Sequence, residues 1–255
     1  MTAHSDPISG SDNVVLPRMQ ALPGGSFLLG DEKGRADERP VHEVTVDPFS
    51  IAIFPVTNKE CAAFLEQTGH PEPGEWRRPR FDSPEYPVCG VSWDDAVAYA
   101  AWLSAWTGQC YHLPTEAQRE YAARGGRTQQ AYPWGNEPLP PEGPYAEGLS
   151  GPLTGGPMSV GCRDAAGPND FGLYHMADNV HEWCADYYDR NYYSSSPRHN
   201  PRGPGATDRR CARGGSWRHH TKYSRCAARS SQAPTKRFAD FGFRLASSEN
   251  FEYVC

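Results

Sequence analysis

The chain has 255 residues, 38% of them hydrophobic, with seven Trp and thirteen Tyr, which marks it as globular, while 25 Gly and 24 Pro break it into many short elements. A net charge of −6 argues against a chain-wide role in binding polyanions, and no run approaches the roughly 20 apolar residues of a membrane span. Positive charge is nevertheless concentrated: eleven of the 25 Lys and Arg lie between Arg198 and Arg237, where Asp208 is the only acid.

Residues 1–17 are polar and read as a disordered tail, leaving 18–255 as a single loop-rich α+β domain. The N-terminus carries neither a basic n-region nor an apolar h-region, so a cytoplasmic protein is expected. GSFLLG and VHEVTVDPFSIAIFPVT show partial period-2 alternation with β-branched residues and predict strands. Three helices have start and stop signals. Thr57 with Glu60, Ser92 with Asp95, and Thr115 with Gln118 form capping-box patterns, and Gly69, Gly108 and Gly125 provide the stops.

From Tyr132 to Asp170, Pro, Gly, Asn and Asp recur too often for regular structure, which in a compact domain points to a functional or metal-pinned loop. GLYHMADNVHEWCADYY follows, then a second Pro/Gly-rich loop, the cationic stretch GGSWRHHTKYSRCAARS, and FADFGFRLA as a final strand. The eight cysteines contain no CxxC, so neither a zinc ribbon nor a disulfide scaffold is indicated, and buried free thiols are expected.

PVTNKEC, PVCGVSWDDAVAYAAWL, YHLPTEAQREYAARGG, YPWGNE, GLYHMADNVHEW, RGGSW and FGFRLA, in this order from about Leu22 to Ala246, resemble the formylglycine-generating enzyme family, also called the sulfatase-modifying-factor domain. The resemblance implies that family's variant of the C-type lectin fold, with little regular secondary structure. It also implies a copper site formed by two cysteines just after the GGS turn. Here GGS is Gly214 to Ser216, yet RHHTKYSR, which follows Trp217, holds no cysteine, so the thiolate pair that suits Cu(I) has no counterpart. Family half-cystine positions fall on Ala123, Ala100 and Leu245, with Cys226 matching one, which agrees with a reduced compartment.

By the same resemblance, the first copper-binding cysteine aligns with His219, followed by His220, and the pocket Trp of the family aligns with His181. Imidazoles can hold iron, copper or zinc, so His181 and His219 are candidate ligands of a redox metal, iron or copper, with His219, His220 and Ser216 as candidate catalytic residues. Trp217, Arg218, Arg229 and Asp240 are candidate substrate contacts, and Arg218, Lys222, Arg225 and Arg229 would draw in an anionic small molecule or peptide. Family calcium ligands map to His175, Asp178, the Val180 carbonyl and Glu182, so a structural calcium ion is expected there. A second calcium site would fall at Tyr145 to Gly148, where the residues depart from the pattern. Nucleic acid is not an expected partner, because only Trp217 and Tyr223 are interleaved with the cations.

Three activities are compatible with these residues. They are an oxygen-using oxidoreductase with a histidine-held metal, a non-catalytic ligand-binding module, and a true formylglycine generator with Cys211 and Cys226 as displaced thiols.

Overall fold

The structure is a computed structural model, and it describes residues 13–138, 156–162 and 167–248. The three helices are α1 (Asn58–Thr68), α2 (Trp93–Thr107) and α3 (Glu116–Arg124). Each opens on a complete capping box, in which the Thr57, Ser92 or Thr115 side chain accepts from the third helical N–H and the third side chain accepts from the cap N–H. Each closes on a left-handed glycine, Gly69, Gly108 or Gly125, whose N–H satisfies a terminal carbonyl.

Among the described residues, ten short strands follow in chain order as β1 (Met19–Leu22), β2 (Gly25–Leu29), β3 (His42–Val46), β4 (Phe49–Ala52), β5 (Tyr111–His112), β6 (His181–Tyr187), β7 (Arg210–Arg213), β8 (Arg229–Gln232), β9 (Phe241–Gly242) and β10 (Ala246–Ser247). They build one sheet in the order β1-β4-β10-β5, a β2-β3 hairpin, and a second sheet in the order β8-β7-β6-β9, in which only β6 and β9 run parallel. The FADFGFRLA segment is therefore two strands rather than one, belonging to different sheets, with Arg244 between them. In the described parts of 132–170 there is no helix or strand, as the composition predicts. The sequence from Tyr145 to Gly148 lies outside the described residues.

The main core packs Trp93, Tyr99 and Leu103 of α2 against Trp183 of β6 and Phe241, Phe243 and Leu245. A second core lies beneath α3, and every residue of that helix is buried, Glu116, Arg119, Glu120 and Arg124 included. Charges so deep persist only when paired. Arg229 grips Glu116 with two parallel bonds, Nε to Oε1 at 2.7 Å and Nη2 to Oε2 at 2.9 Å. Arg124 donates to Glu120 Oε1 at 2.7 and 3.0 Å, and Arg213 donates to the other oxygen of Glu120. The polar face of α3 thus docks on the second sheet through ion pairs rather than facing water.

Asp186 of β6 is drawn into this lattice without a cation of its own. Its Oδ2 accepts the Glu116 N–H at 2.8 Å, and burial, then the neighbouring Glu116 charge, push its carboxyl up to about 8 against the opposing pull of Arg229. Cys184, Cys211 and Tyr192, which also surround it, are neutral. The folded chain therefore holds a proton there that the unfolded chain releases near pH 4, so this group's contribution falls as pH rises towards 8 and then levels off. Asp186→Asn keeps an acceptor for Glu116 and removes the titration. Urea unfolding from pH 5 to 9 should show the variant gaining stability over the parent as pH rises. Parallel curves would contradict this reading.

Candidate functional site

The GGS turn joins β7 to the cationic stretch, and glycine is required at both positions. Gly214 has φ of +79°, and a Cβ on Gly215 would collide with Ala177 O and Ser224 Oγ. The turn is stitched to the preceding loop by the Trp217 N–H, which donates to Asn179 O at 2.9 Å. Ser216, Trp217 and His219 are thereby set over the start of β6 and β9.

His181 is the first residue of β6 and pairs with Phe241 of β9; its N–H donates to Asp240 O at 2.8 Å. Its ring meets that of His219 edge-on, with centroids 4.8 Å apart. Asp240 organises the opposite side. Its Oδ2 accepts the Ser216 hydroxyl at 2.8 Å and lies 3.6 Å from His219 Nε2, while Oδ1 lies 3.4 Å from Arg218 Nη1. Ser216, Asp240 and His181 are buried, and His219 is partly exposed.

Both imidazoles are neutral at pH 7. Burial is the largest influence on His181, assisted by the nearby His219, and takes it down to about 3 although Asp240 and the Gly214 and Gly215 backbone favour the charged form. Burial also lowers His219, outweighing Asp240. The His219–Asp240 contact is thus one of neutral imidazole with carboxylate, not an ion pair.

Three polar atoms of this cluster are buried without a partner: His181 Nδ1, His219 Nδ1 and Trp217 Nε1. Buried polar groups are normally satisfied, so these three atoms make the cluster a candidate binding place. Trp217 packs edge-on against Phe81 with centroids 6.1 Å apart, and the Arg218 guanidinium lies 5.7 Å from its ring, so an aromatic and cationic lip borders the cluster. Phe81 carried no signal in the sequence beyond its hydrophobicity.

Other expected site residues are placed elsewhere. His220 is exposed and its Nδ1 accepts the Lys222 N–H at 3.2 Å, because it caps a short 3-10 turn at Thr221–Tyr223, so it is not in the cluster. Arg229 is buried with its fork spent on Glu116, which removes it from any substrate rim. Arg225 is likewise engaged, with Glu38 and Asp31. Only Arg218 and Lys222 of the expected cations stay at the surface near the turn. Among the described residues no three His, Cys, Asp or Glu side chains converge to hold a metal. Cys211 and Cys226 are fully buried, and burial pushes both thiols up, Cys226 to about 12. Neither is a ready thiolate.

The calcium set does not fit the residues as placed. Both Glu182 oxygens accept from guanidinium groups of Arg119 and Arg244, and Asp178 Oδ1 lies 2.8 Å from His175 Nδ1. The physical reason is that a basic residue of α3, unremarked in the sequence, reaches across to β6.

A loop-rich α+β fold that sets a glycine turn and a histidine–aspartate cluster above the start of a buried strand is the class of molecule these features define. The chain matches the sulfatase-modifying factor enzyme 1-like domain over residues 6–249, and it belongs to that family. It is 37% identical to the formylglycine-generating enzyme of Streptomyces coelicolor, over 89% of this chain and 88% of that protein. It is 33% identical to the inactive C-alpha-formylglycine-generating enzyme 2 of Mus musculus, over 91% and 86%. Among solved structures, PvdO from Pseudomonas aeruginosa superposes with a TM-score of 0.74 at 31% identity, covering 91% of this chain and 94% of PvdO. The fold is accordingly that of the formylglycine-generating enzymes.

Proposed function

We propose that the chain is a metal-dependent, oxygen-using oxidoreductase in which His181 and His219 hold the redox metal in place of a cysteine pair. The observation that carries this reading is the pair of buried, unpartnered Nδ1 atoms on two neutral imidazoles whose centroids are 4.8 Å apart. A ligating histidine characteristically donates its other ring N–H to a carboxylate or carbonyl, which fixes the tautomer and leaves the lone pair for the metal. Asp240 faces His219 Nε2, and the Gly214 and Gly215 backbone lies against His181 in the sense that favours a ring N–H. Both Nδ1 atoms, without a hydrogen-bond partner, then keep their lone pairs for a metal.

Imidazole ligands without a free carboxylate favour copper over iron, since the oxygens of Asp240 already serve Ser216 and Arg218. Bound copper would supply one-electron exchange with dioxygen and substrate. The chain's own residues do the rest. Ser216 and Asp240 hold His219 in place, and Arg218 with the unpartnered Trp217 indole Nε1–H receives an anionic group of a small or peptidic substrate. Desolvation keeps both imidazoles unprotonated, so the ligand pair is available at neutral pH.

A second reading, a non-catalytic ligand-binding module, is favoured by the lack of a third converging ligand among the described residues. Elemental analysis separates the two. Protein loaded with copper and desalted should retain a stoichiometric ion, and the His181→Gln, His219→Gln double variant should retain none. A parent protein that retains no metal would leave the three orphan atoms to an organic ligand and put the binding module in front.

A further inference from the structure

Glu182 lies fully buried in β6, where a structural cation would be expected to neutralise it. Its Oε2 accepts from Arg119 Nε at 2.7 Å and from Arg244 Nε at 2.8 Å, and its Oε1 accepts from Arg244 Nη2 at 2.9 Å. The same guanidiniums also gather the turn that precedes β6. Arg119 Nη2 donates to Met176 O at 2.9 Å, and Arg244 Nη2 donates to Tyr174 O at 2.7 Å and lies 3.4 Å from His175 O. Arg244 Nη1 ties this knot to the end of β4 through Ala52 O at 2.8 Å and Ile53 O at 3.1 Å. Asp178 is taken up by His175, whose Nε2 faces Val160 O at 3.1 Å.

A calcium ion needs six to eight oxygens at about 2.3–2.6 Å, supplied here by carboxylates and turn carbonyls. Of the expected ligands, Glu182 already accepts from guanidinium N–H groups and Asp178 is engaged by His175. The two guanidiniums already balance the charge of the buried Glu182 and Asp178, so no net negative charge is left to attract a dication.

We infer that Arg119 and Arg244 together replace a structural calcium ion: they neutralise Glu182, collect the carbonyls of the 174–176 turn, and make the fold independent of calcium. Arg119 also reaches the candidate site. Its Nη2 lies 3.1 Å from the position a Cβ on Gly214 would occupy, and its partner Glu182 directly follows His181. Arg119 thus lies between the GGS turn and the start of β6. The inference concerns folding and does not depend on the redox reading.

Thermal unfolding of the full chain tests it. EGTA and millimolar calcium chloride should leave the melting temperature unchanged, since an ion that does not bind the folded state cannot stabilise it. Elemental analysis of desalted protein should find no calcium. Arg119→Met should lower the melting temperature on the order of 10 °C, because it removes one of the two cations on a buried carboxylate together with the bond to Met176 O. If Arg119→Met cannot be purified folded, the chelation and elemental measurements on the parent chain decide the matter alone. A melting temperature that falls with EGTA and returns with calcium, a stoichiometric calcium ion in the desalted protein, or an Arg119→Met variant as stable as the parent would overturn the proposal.

Discussion

Replacing Arg229 by Gln is expected to destabilise the fold by about 3–5 kcal/mol, the cost of leaving one partner of a buried pair uncompensated. Arg229 is 2% exposed and holds both oxygens of Glu116, and its Nη1 donates to Asp37 O at 2.7 Å. Losing the fork leaves the Glu116 carboxylate with Arg213, 3.5 Å away, as its remaining cation. That carboxylate also sits beside Asp186, so the whole lattice beneath α3 is disturbed. A domain of this kind has about 5–15 kcal/mol in total, so the variant should unfold at markedly lower urea. The Arg229→Met, Glu116→Gln pair should be less harmful than the single change predicts by addition, since no lone charge is left behind. An Arg229→Gln variant of parental stability with weakened anion binding would instead return Arg229 to the pocket.

Arg229 also shows where sequence reasoning reaches its limit. The three helices were legible because a capping box and a terminal glycine are local signals, contained within a few residues of Thr57, Ser92 and Thr115. The ion-pair lattice was not. Glu116 and Arg229 are 113 residues apart and Arg119 and Glu182 are 63 apart, and nothing in the spacing of either announces its partner. TEAQREYAAR has the charge content of a solvated helix, yet every residue of α3 is buried. The cationic stretch after β7 therefore looked like an anion-binding rim when much of its charge serves the interior. β1 carries no sequence signal because MQAL is too short to show alternation, and FADFGFRLA is divided by Arg244, whose guanidinium bonds to Glu182 and to backbone carbonyls of Ala52, Ile53 and Tyr174. At the candidate site the proximity of His181 and His219 was foreseen from the resemblance. The exclusion of His220 required knowing that it caps the turn at Thr221.

The second large effect is expected at the two imidazoles. Asp240→Asn removes the carboxylate charge that faces His219, Ser216 and Arg218 and should weaken copper binding roughly 10–100-fold, as loss of an outer partner does. His219→Gln or His181→Gln removes a ligand and should cost more than that, with little change in melting temperature for His219, which is partly exposed. The most direct measurement is electron paramagnetic resonance of the Cu(II)-loaded chain, which reports the nitrogens bound to the ion. A stoichiometric signal with superhyperfine coupling to two imidazole nitrogens, reduced to one in His219→Gln and abolished in the double variant, is the predicted result. A signal unchanged by both substitutions, or no bound copper at all, would contradict the two-histidine site.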